Sequence, residues 1–169
     1  ILIQRNNLLK QIRFQNNLID TLEAWDIQLV KYGSEVIKYR EKFIKHLGEV
    51  CQKIHNKLTG GKEQILLEYD RNVGYDSYLT ELKKKRQKDL KYFTTTVGPH
   101  RDDISFVVNG IDIRKYGSQG QQRTAALSLK LAQIQLMREV MKESPILLLD
   151  DVLSELDSNR KTYLLESIK

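Results

Sequence analysis

The 169 residues are enough for one domain, or for one domain with a projecting element. No apolar run reaches the length of a membrane span, and the first residues, ILIQRNNLLK, lack the basic and apolar regions of a signal peptide. The formal net charge of +6 permits contact with nucleic acid, and the single cysteine, Cys51, excludes an internal disulfide and fits a reducing compartment.

The first 60 residues have the apolar pattern of a helical hairpin. A seven-residue repeat predicts a long helix with a coiled-coil-like seam. The seam comprises Leu22, Leu29, Val36, Phe43 and Val50, with Trp25, Tyr32 and Tyr39 between them. After Phe43 the apolar stripe shifts to Leu47, Cys51, Ile54 and Leu58, so we expect the seam to drift there. We expect these aromatic side chains to pack against a partner helix. The apolar residues before Asn16 predict a shorter facing helix, and Gly60 and Gly61 indicate where the long helix ends.

A strand and a basic helix are predicted next. Alternation of Ile65, Leu67 and Tyr69 within EQILLEYD is typical of a strand, and YLTELKKKRQKDLKY reads as a helix. This helix carries a run of four cations, Lys83, Lys84, Lys85 and Arg86. The run suits either a solvated helical face or a patch that contacts DNA phosphates, and the sequence leaves both interpretations open.

A β-hairpin over residues 104–114 is the clearest local prediction. Asn109 and Gly110 lie between two alternating apolar runs, which is the signature of a type I′ turn. The turn predicts four side chains on one buried face, with two pairs opposite each other. These pairs are Val108 with Ile111 and Phe106 with Ile113.

The stretch KYGSQGQQRTAALSLKLA begins a helix predicted over residues 119–141. Ser118 and Gln121 have the spacing of a capping box. A cap does not need the glycines at 117 and 120, which let another group approach the backbone closely. The first turn contains no acid, and its amides carry the positive end of the helix dipole. The composition of the turn therefore predicts a binding site for a phosphate that arrives from outside.

The stretch PILLLDDVLSELD predicts a buried strand that ends in two acids, a Walker-B-like pattern. Asp150 would hold Mg²⁺, directly or through water, and Asp151 would orient or deprotonate an attacking water molecule. The carboxyl end of a strand is where α/β sheets collect their ligands.

These motifs, in this order, resemble those of the ABC-type ATPases and, within them, the RecF family of bacterial recombination and repair ATPases related to the SMC proteins. GSQGQQRT looks like the signature motif in its RecF form. The resemblance implies that Ser118 and Gly120, with Gln119 and Gln121 beside them, contact the γ-phosphate of ATP held by another subunit. SELD, with Ser154 and Asp157, resembles the D-loop that crosses the dimer interface.

A P-loop is missing from the sequence. Gly61 and Lys62 are followed by Glu63, and Asn56 occupies the position that the upstream glycine would need. In the RecF family the P-loop lies in an amino-terminal segment. Because this chain also opens at Ile1 rather than at methionine, we expect a fragment that is inactive alone and part of a weak ATPase in the full-length dimer.

The histidines receive no role in this ATPase chemistry. His46 and His55 lie on the predicted arm, where we expect no chemical function. GPHRDD is also characteristic of RecF, and we expect its His100 to bond a nearby backbone carbonyl.

The predicted fold is mixed α+β. It combines a helical-hairpin arm (1–60), a small β/α element (61–115) and part of an ABC-type α/β ATPase lobe (116–169). The resemblance implies that the protein binds ATP and Mg²⁺ and dimerises on DNA. It also implies recombinase loading at gaps or single-/double-strand junctions and a part in the SOS response. The implied partners are RecO and RecR, and the implied location is cytoplasmic and nucleoid-associated. The alternatives are a non-catalytic coiled-coil DNA-binding or assembly module and another SMC-class ATPase.

Overall fold

The computed structural model describes residues 1–142, 145–146, 161–162 and 164. Within residues 1–142, α-helices span Leu2–Ile12 (α1), Leu22–Leu58 (α2), Tyr78–Tyr92 (α3), Ile113–Tyr116 (α4) and Gln119–Met141 (α5). A three-stranded sheet has the order Ile65–Asp70 (β1), Asp103–Val108 (β2) and Ile111–Asp112 (β3), and Asn16–Thr21 and Pro99–Arg101 are 3-10 helices. The predicted mixed fold is confirmed. None of the helices in the described ranges has the combined length and apolarity needed to cross a bilayer.

The described chain forms two compact units that are not contiguous in sequence. The first unit combines Ile1–Lys42 with Tyr69–Asp103, and the second combines Phe43–Glu68 with the residues from Ile104 onwards. The division into segments 1–60, 61–115 and 116–169 stays a prediction.

The buried face of α2 follows the α-helical period of 3.6 residues rather than the predicted heptad. Its buried residues are Leu22, Asp26, Leu29, Gly33, Ile37, Ile44, Leu47, Val50, Cys51, Ile54, His55 and Leu58. The predicted burial of Leu22, Leu29 and Val50 and the predicted shift after Phe43 are therefore confirmed. The heptad prediction is wrong at Val36 and Phe43, which are 39% and 54% exposed. An unsupercoiled helix drifts by about 20° per heptad, so a 3.5-residue row soon leaves the buried face. Tyr32 and Tyr39 are also exposed, so the expected packing is wrong for these two residues. It is confirmed for Trp25, which packs against the cluster of Leu8, Leu9 and Ile12 of α1 with Leu22.

A buried arginine organises the first unit. Arg5 of α1 donates from Nε to Asp26 Oδ1 at 2.7 Å and from Nη1 to Asp89 Oδ2 at 2.8 Å, and all three side chains are fully buried. Its Nη1 also donates to Thr95 Oγ1 at 2.8 Å. Because α2, α3 and the segment after α3 each supply a partner to this residue of α1, one guanidinium connects four parts of the chain.

Tyr78 fills a space that two glycines leave open. A Cβ on Gly33 would lie 2.6 Å from Tyr78 Cε1, and a Cβ on Gly98 would overlap the phenol oxygen. Gly98 also has φ of +135°, a conformation that favours glycine. Burial raises the pKa of Tyr78 above its usual range.

The GPHRDD segment is a structural tie in the first unit. Asp102 accepts a hydrogen bond from the backbone N–H of Asn72 at 2.9 Å and another from the hydroxyl of Tyr69. Burial, with this hydrogen bond to Asp102, raises the pKa of Tyr69 to about 12. The expected bond of His100 to a backbone carbonyl is confirmed, because its Nε2 lies 2.9 Å from the oxygen of Thr95.

The predicted hairpin is confirmed at its turn and in the burial of Val108 and Ile113, and it is wrong in the pairing of Ile113 and in the burial of Ile111. Asn109 and Gly110 both have positive φ, 49° and 82°, and Val108 pairs with Ile111 in antiparallel register. The strand β3 ends at Asp112, whose side chain accepts from the N–H of Arg114 and caps α4. Ile113 therefore starts a helix instead of pairing with Phe106, and Ile111 is 51% exposed rather than buried.

The core of the second unit joins the carboxyl-terminal part of α2 to α5 and the sheet. Its buried apolar residues include Cys51, Ile54, Leu58, Ile65, Val108, Leu127, Leu131 and Ala132. The strands contribute through the alternate side chains that face this core.

We expect Arg5→Met to lower the free energy of unfolding by about 3–5 kcal/mol, because the change leaves the buried carboxylate of Asp89 without its cation and leaves Asp26 with Arg86 alone. The measurement is chemical denaturation followed by circular dichroism. The matched control is Lys83→Ala, which removes an exposed pair with Glu23 and should cost no more than about 1 kcal/mol. Equal effects of the two substitutions would contradict the central role of Arg5.

We expect Cys51 to be protected from iodoacetamide in the folded chain and to react after unfolding in urea. The thiol is fully buried, and burial raises its pKa to about 12. An unfolded thiol ionises near about pH 8.5, so stability from this group should be lost as the pH rises from there towards the folded pKa. Mass spectrometry of the alkylated protein measures the reaction, and rapid labelling of the folded chain at pH 8 would contradict this prediction.

Candidate functional site at the first turn of helix α5

Gly117 is required by the path of the chain into α5. A Cβ at this position would lie 2.6 Å from the carbonyl oxygen of Ile113 and 2.7 Å from its Cβ. Gly117 also ends the short helix α4. The prediction that Gly117 serves the approach of an outside group is therefore unnecessary, because contacts inside the chain already explain this glycine.

The predicted capping box at the start of α5 is confirmed. Ser118 Oγ accepts from the N–H of Gln121 at 3.2 Å, and Gln121 Oε1 accepts from the N–H of Ser118 at 3.0 Å. The first four N–H groups of a helix have no partner within the helix. The box uses the N–H groups of Ser118 and Gln121 and leaves those of Gln119 and Gly120 outside the cap.

Gly120 differs from Gly117 because its surroundings are open. A Cβ at this position would meet only Ser118 Oγ, at 3.9 Å, which is ordinary van der Waals contact. Glycine inside a helix costs about 0.5–1 kcal/mol relative to alanine, and no described neighbour demands it here. Ser118, Gln119 and Gly120 are exposed, and the first turn contains no acidic residue. The turn can therefore accept an anion at its amides.

A chain of polar side chains supports this turn from inside the second unit. Gln121 Nε2 donates to Glu63 Oε1 at 3.2 Å, and Glu63 Oε2 lies 3.2 Å from Nε2 of His55. His55 Nδ1 lies 2.9 Å from the hydroxyl of Ser128 on α5. Sequence reasoning missed His55 and Glu63. The signal was present at position 55, because His55 follows Cys51 by four residues and so lies on the buried face of α2.

The remaining predicted ATPase residues fall outside the described ranges. These residues are Asp150, Asp151, Ser154 and Asp157. Their roles stay predictions.

The basic run lies on α3, in the first unit. Lys83 pairs with Glu23 at 3.4 Å, Lys84 with Glu81 at 2.7 Å and Arg86 with Asp26 at 2.8 Å. Lys83, Lys84 and Lys85 are exposed. The intramolecular carboxylates reduce the positive charge that this face offers to DNA.

The TGGKE stretch is the end of a helix and not a phosphate loop. Gly60 and Gly61 have φ of 60° and 77°, and the N–H of Gly61 donates to the carbonyl of Asn56 at 2.8 Å. This is the left-handed helix ending that the sequence predicts. Across the described part of the chain, no group of three or more His, Cys, Asp or Glu side chains is arranged to hold a metal ion.

Comparison with known proteins gives a consistent set of relatives. No protein-family model matches the chain. The DNA replication and repair protein RecF of Agathobacter rectalis is 55% identical over 167 residues, which are 99% of this chain and 46% of the relative. The protein of the same name from Lachnoclostridium phytofermentans is 55% identical over 99% of this chain and 47% of its own length. That from Acetivibrio thermocellus is 44% identical over 100% of this chain and 48% of its own length.

Solved structures agree with the sequence matches. The structure of the recombination mediator protein RecF-ATP in the RecFOR pathway has a TM-score of 0.89 and 39% identity, and the match covers 99% of this chain and 47% of that one. The corresponding RecF-ATPrS structure gives a TM-score of 0.87. The chain spans about half the length of the curated relatives it matches. In sequence and in fold it thus corresponds to about half of a RecF protein, and the resemblance to RecF predicted from its motifs is confirmed.

Proposed function

We propose that this chain supplies the signature turn of a RecF-type DNA repair ATPase. In the complete protein, Ser118 and Gly120 would contact the γ-phosphate of ATP bound by the other subunit, with Gln119 and Gln121 beside them. The observation that carries the proposal is the open space at Gly120, together with the two N–H groups that the capping box leaves unused. Both features suit an anion that comes from outside the chain.

The rest of the ATPase site follows from the resemblance. Asp150 would hold Mg²⁺, Asp151 would orient or deprotonate the attacking water, and Ser154 and Asp157 would lie at the dimer interface. The P-loop would come from the part of a RecF protein that this chain does not match. The two RecF structures in the comparison, described as RecF-ATP and RecF-ATPrS, support ATP as the nucleotide.

We further propose that ATP binding closes a RecF-type dimer on DNA and that slow hydrolysis reopens it. The relatives' description as DNA replication and repair proteins supports the role in DNA repair. As finer parts of the same proposal, this role would be exercised at gaps or junctions in the bacterial cytoplasm, with loading of recombinase. The RecFOR pathway named for the solved structures supports RecO and RecR as partners. The exposed lysines of α3 are candidates for contacts with DNA phosphates.

Two other functions explain less of the structure. A non-catalytic assembly module would use the start of α5 only as a capped helix, and it would give no reason for an unneeded glycine at position 120. Another SMC-class ATPase would use the same turn, but the relatives at 55% identity are RecF proteins. The RecF-type ATPase is therefore the better explanation.

We expect Ser118→Asp to abolish ATP-dependent dimerisation of the full-length protein without loss of stability. Aspartate caps a helix about as well as serine, but its carboxylate would stand where the γ-phosphate must approach. Light scattering with and without MgATP measures the mass, and thermal unfolding checks the fold. Ser118→Arg should give the same loss through steric block. If wild type and both variants behave alike, the turn is only a helix cap and the assembly module is correct.

We expect Gly120→Ala to stabilise the fold and to weaken ATP-dependent dimerisation. Alanine should raise the free energy of unfolding by about 0.5–1 kcal/mol, because its Cβ meets no close neighbour inside the chain. The same Cβ would obstruct the incoming phosphate, so dimerisation should require more ATP. The matched control is Lys130→Ala, at an exposed position of the same helix. Gain of stability with unchanged ATP dependence would contradict a phosphate contact at Gly120.

A further inference from the structure

We infer that Glu63 and His55 are positioning residues for the signature turn. Neither residue belongs to the turn, and neither is assigned a role by the motifs. They connect the side chain of Gln121 to Ser128, two turns further along α5, through three hydrogen bonds of 2.9–3.2 Å. The geometric part of this inference stands alone, and its consequence for nucleotide binding rests on the proposed function.

Two hydrogen bonds fix the orientation of the Gln121 side-chain amide. Its Oε1 accepts from the N–H of Ser118, so its NH₂ group must point to the other side. There it donates to Glu63 Oε1 at 3.2 Å. The carboxylate therefore selects the one amide orientation that closes the capping box and holds Ser118 in place on an otherwise exposed turn.

The partners of His55 determine which of its ring nitrogens carry a proton. The hydroxyl of Ser128 donates its only proton to the carbonyl oxygen of Thr124 at 2.7 Å. Ser128 Oγ must then accept from Nδ1–H of His55. An ionised Glu63 accepts from Nε2–H on the opposite side of the ring. Both ring nitrogens donate, and His55 is an imidazolium paired with the Glu63 carboxylate.

The charges of His55 and Glu63 are opposite and lie close together. The side chain of His55 is fully buried and that of Glu63 is 20% exposed, so the two opposite charges stabilise each other at 3.2 Å. The pair is neutral as a whole. A carboxylate can therefore brace the turn without projecting its negative charge onto the place where a phosphate would bind.

Two effects of Glu63 on nucleotide binding thus have opposite signs. If Glu63 acts by positioning Gln121, its removal loosens the turn and weakens ATP-dependent dimerisation. If it acts as an unpaired negative charge, its removal relieves repulsion and strengthens dimerisation. The sign of the effect decides between them.

The experiment compares full-length wild type, Glu63→Ala, Glu63→Gln and the control Glu68→Ala, which changes an exposed acid on β1. Light scattering gives the MgATP concentration at half-maximal dimerisation. Loss of a hydrogen bond to a charged group should raise this concentration at least roughly tenfold in Glu63→Ala. Glu63→Gln should stay within about threefold, since its oxygen accepts from Gln121 and its amide donates to a neutral His55. The control should match wild type.

A second measurement does not depend on ATP. Nitrogen-15 NMR of the histidine rings should detect two protected ring N–H groups for His55 in wild type, and only Nδ1–H in Glu63→Gln. A single ring N–H in wild type would overturn the imidazolium pair.

Normal or stronger dimerisation of Glu63→Ala, in a protein that dimerises with ATP and is blocked by Ser118→Asp, would overturn the positioning role alone. If wild type does not dimerise with ATP, the proposed function is wrong, and so is the predicted effect of Glu63 on ATP-dependent dimerisation. The NMR signals of the His55 ring would still show whether the imidazolium pair with Glu63 exists.

Discussion

A buried charge must have a partner, and both units of the chain are organised by this requirement. In the first unit Arg5 reaches two carboxylates that come from different helices. In the second unit His55 and Glu63 join the end of α2 to the start of α5. Apolar contacts supply most of the favourable free energy of folding, but they tolerate small shifts. The ionic hydrogen bonds have fixed lengths and directions, and they therefore set the register of the packed helices.

The start of α5 reconciles two demands that usually conflict. A stable helix needs its first N–H groups satisfied, and an anion site needs some of them free. The chain divides these groups, since Ser118 and Gln121 satisfy each other while Gln119 and Gly120 are left to the outside. The support for this arrangement comes from Glu63, on a different segment, which lets the turn stay exposed and remain ordered.

Local signals in the sequence predicted much of this structure. The bounds of α3 and α5, the Asn109–Gly110 turn and the capping box all depend on neighbouring residues, and all were predicted. The buried face of α2 was missed at Val36 because periods of 3.5 and 3.6 residues diverge only over several turns. The sequence pattern does not predict the early end of β3, because Asp112 is both the last residue of this strand and the cap of α4. The roles of His55 and Glu63 depend on contacts between distant segments, which no local pattern contains.

The fit of Tyr78 between two glycines links three positions that are far apart in sequence. Any side chain at position 33 or 98 would occupy space that the phenol ring already fills. A relative with a side chain at either position must therefore have a smaller residue in place of the tyrosine. These three sites should change together during evolution, and a graft of one RecF segment onto another will pack well only when all three come from the same parent.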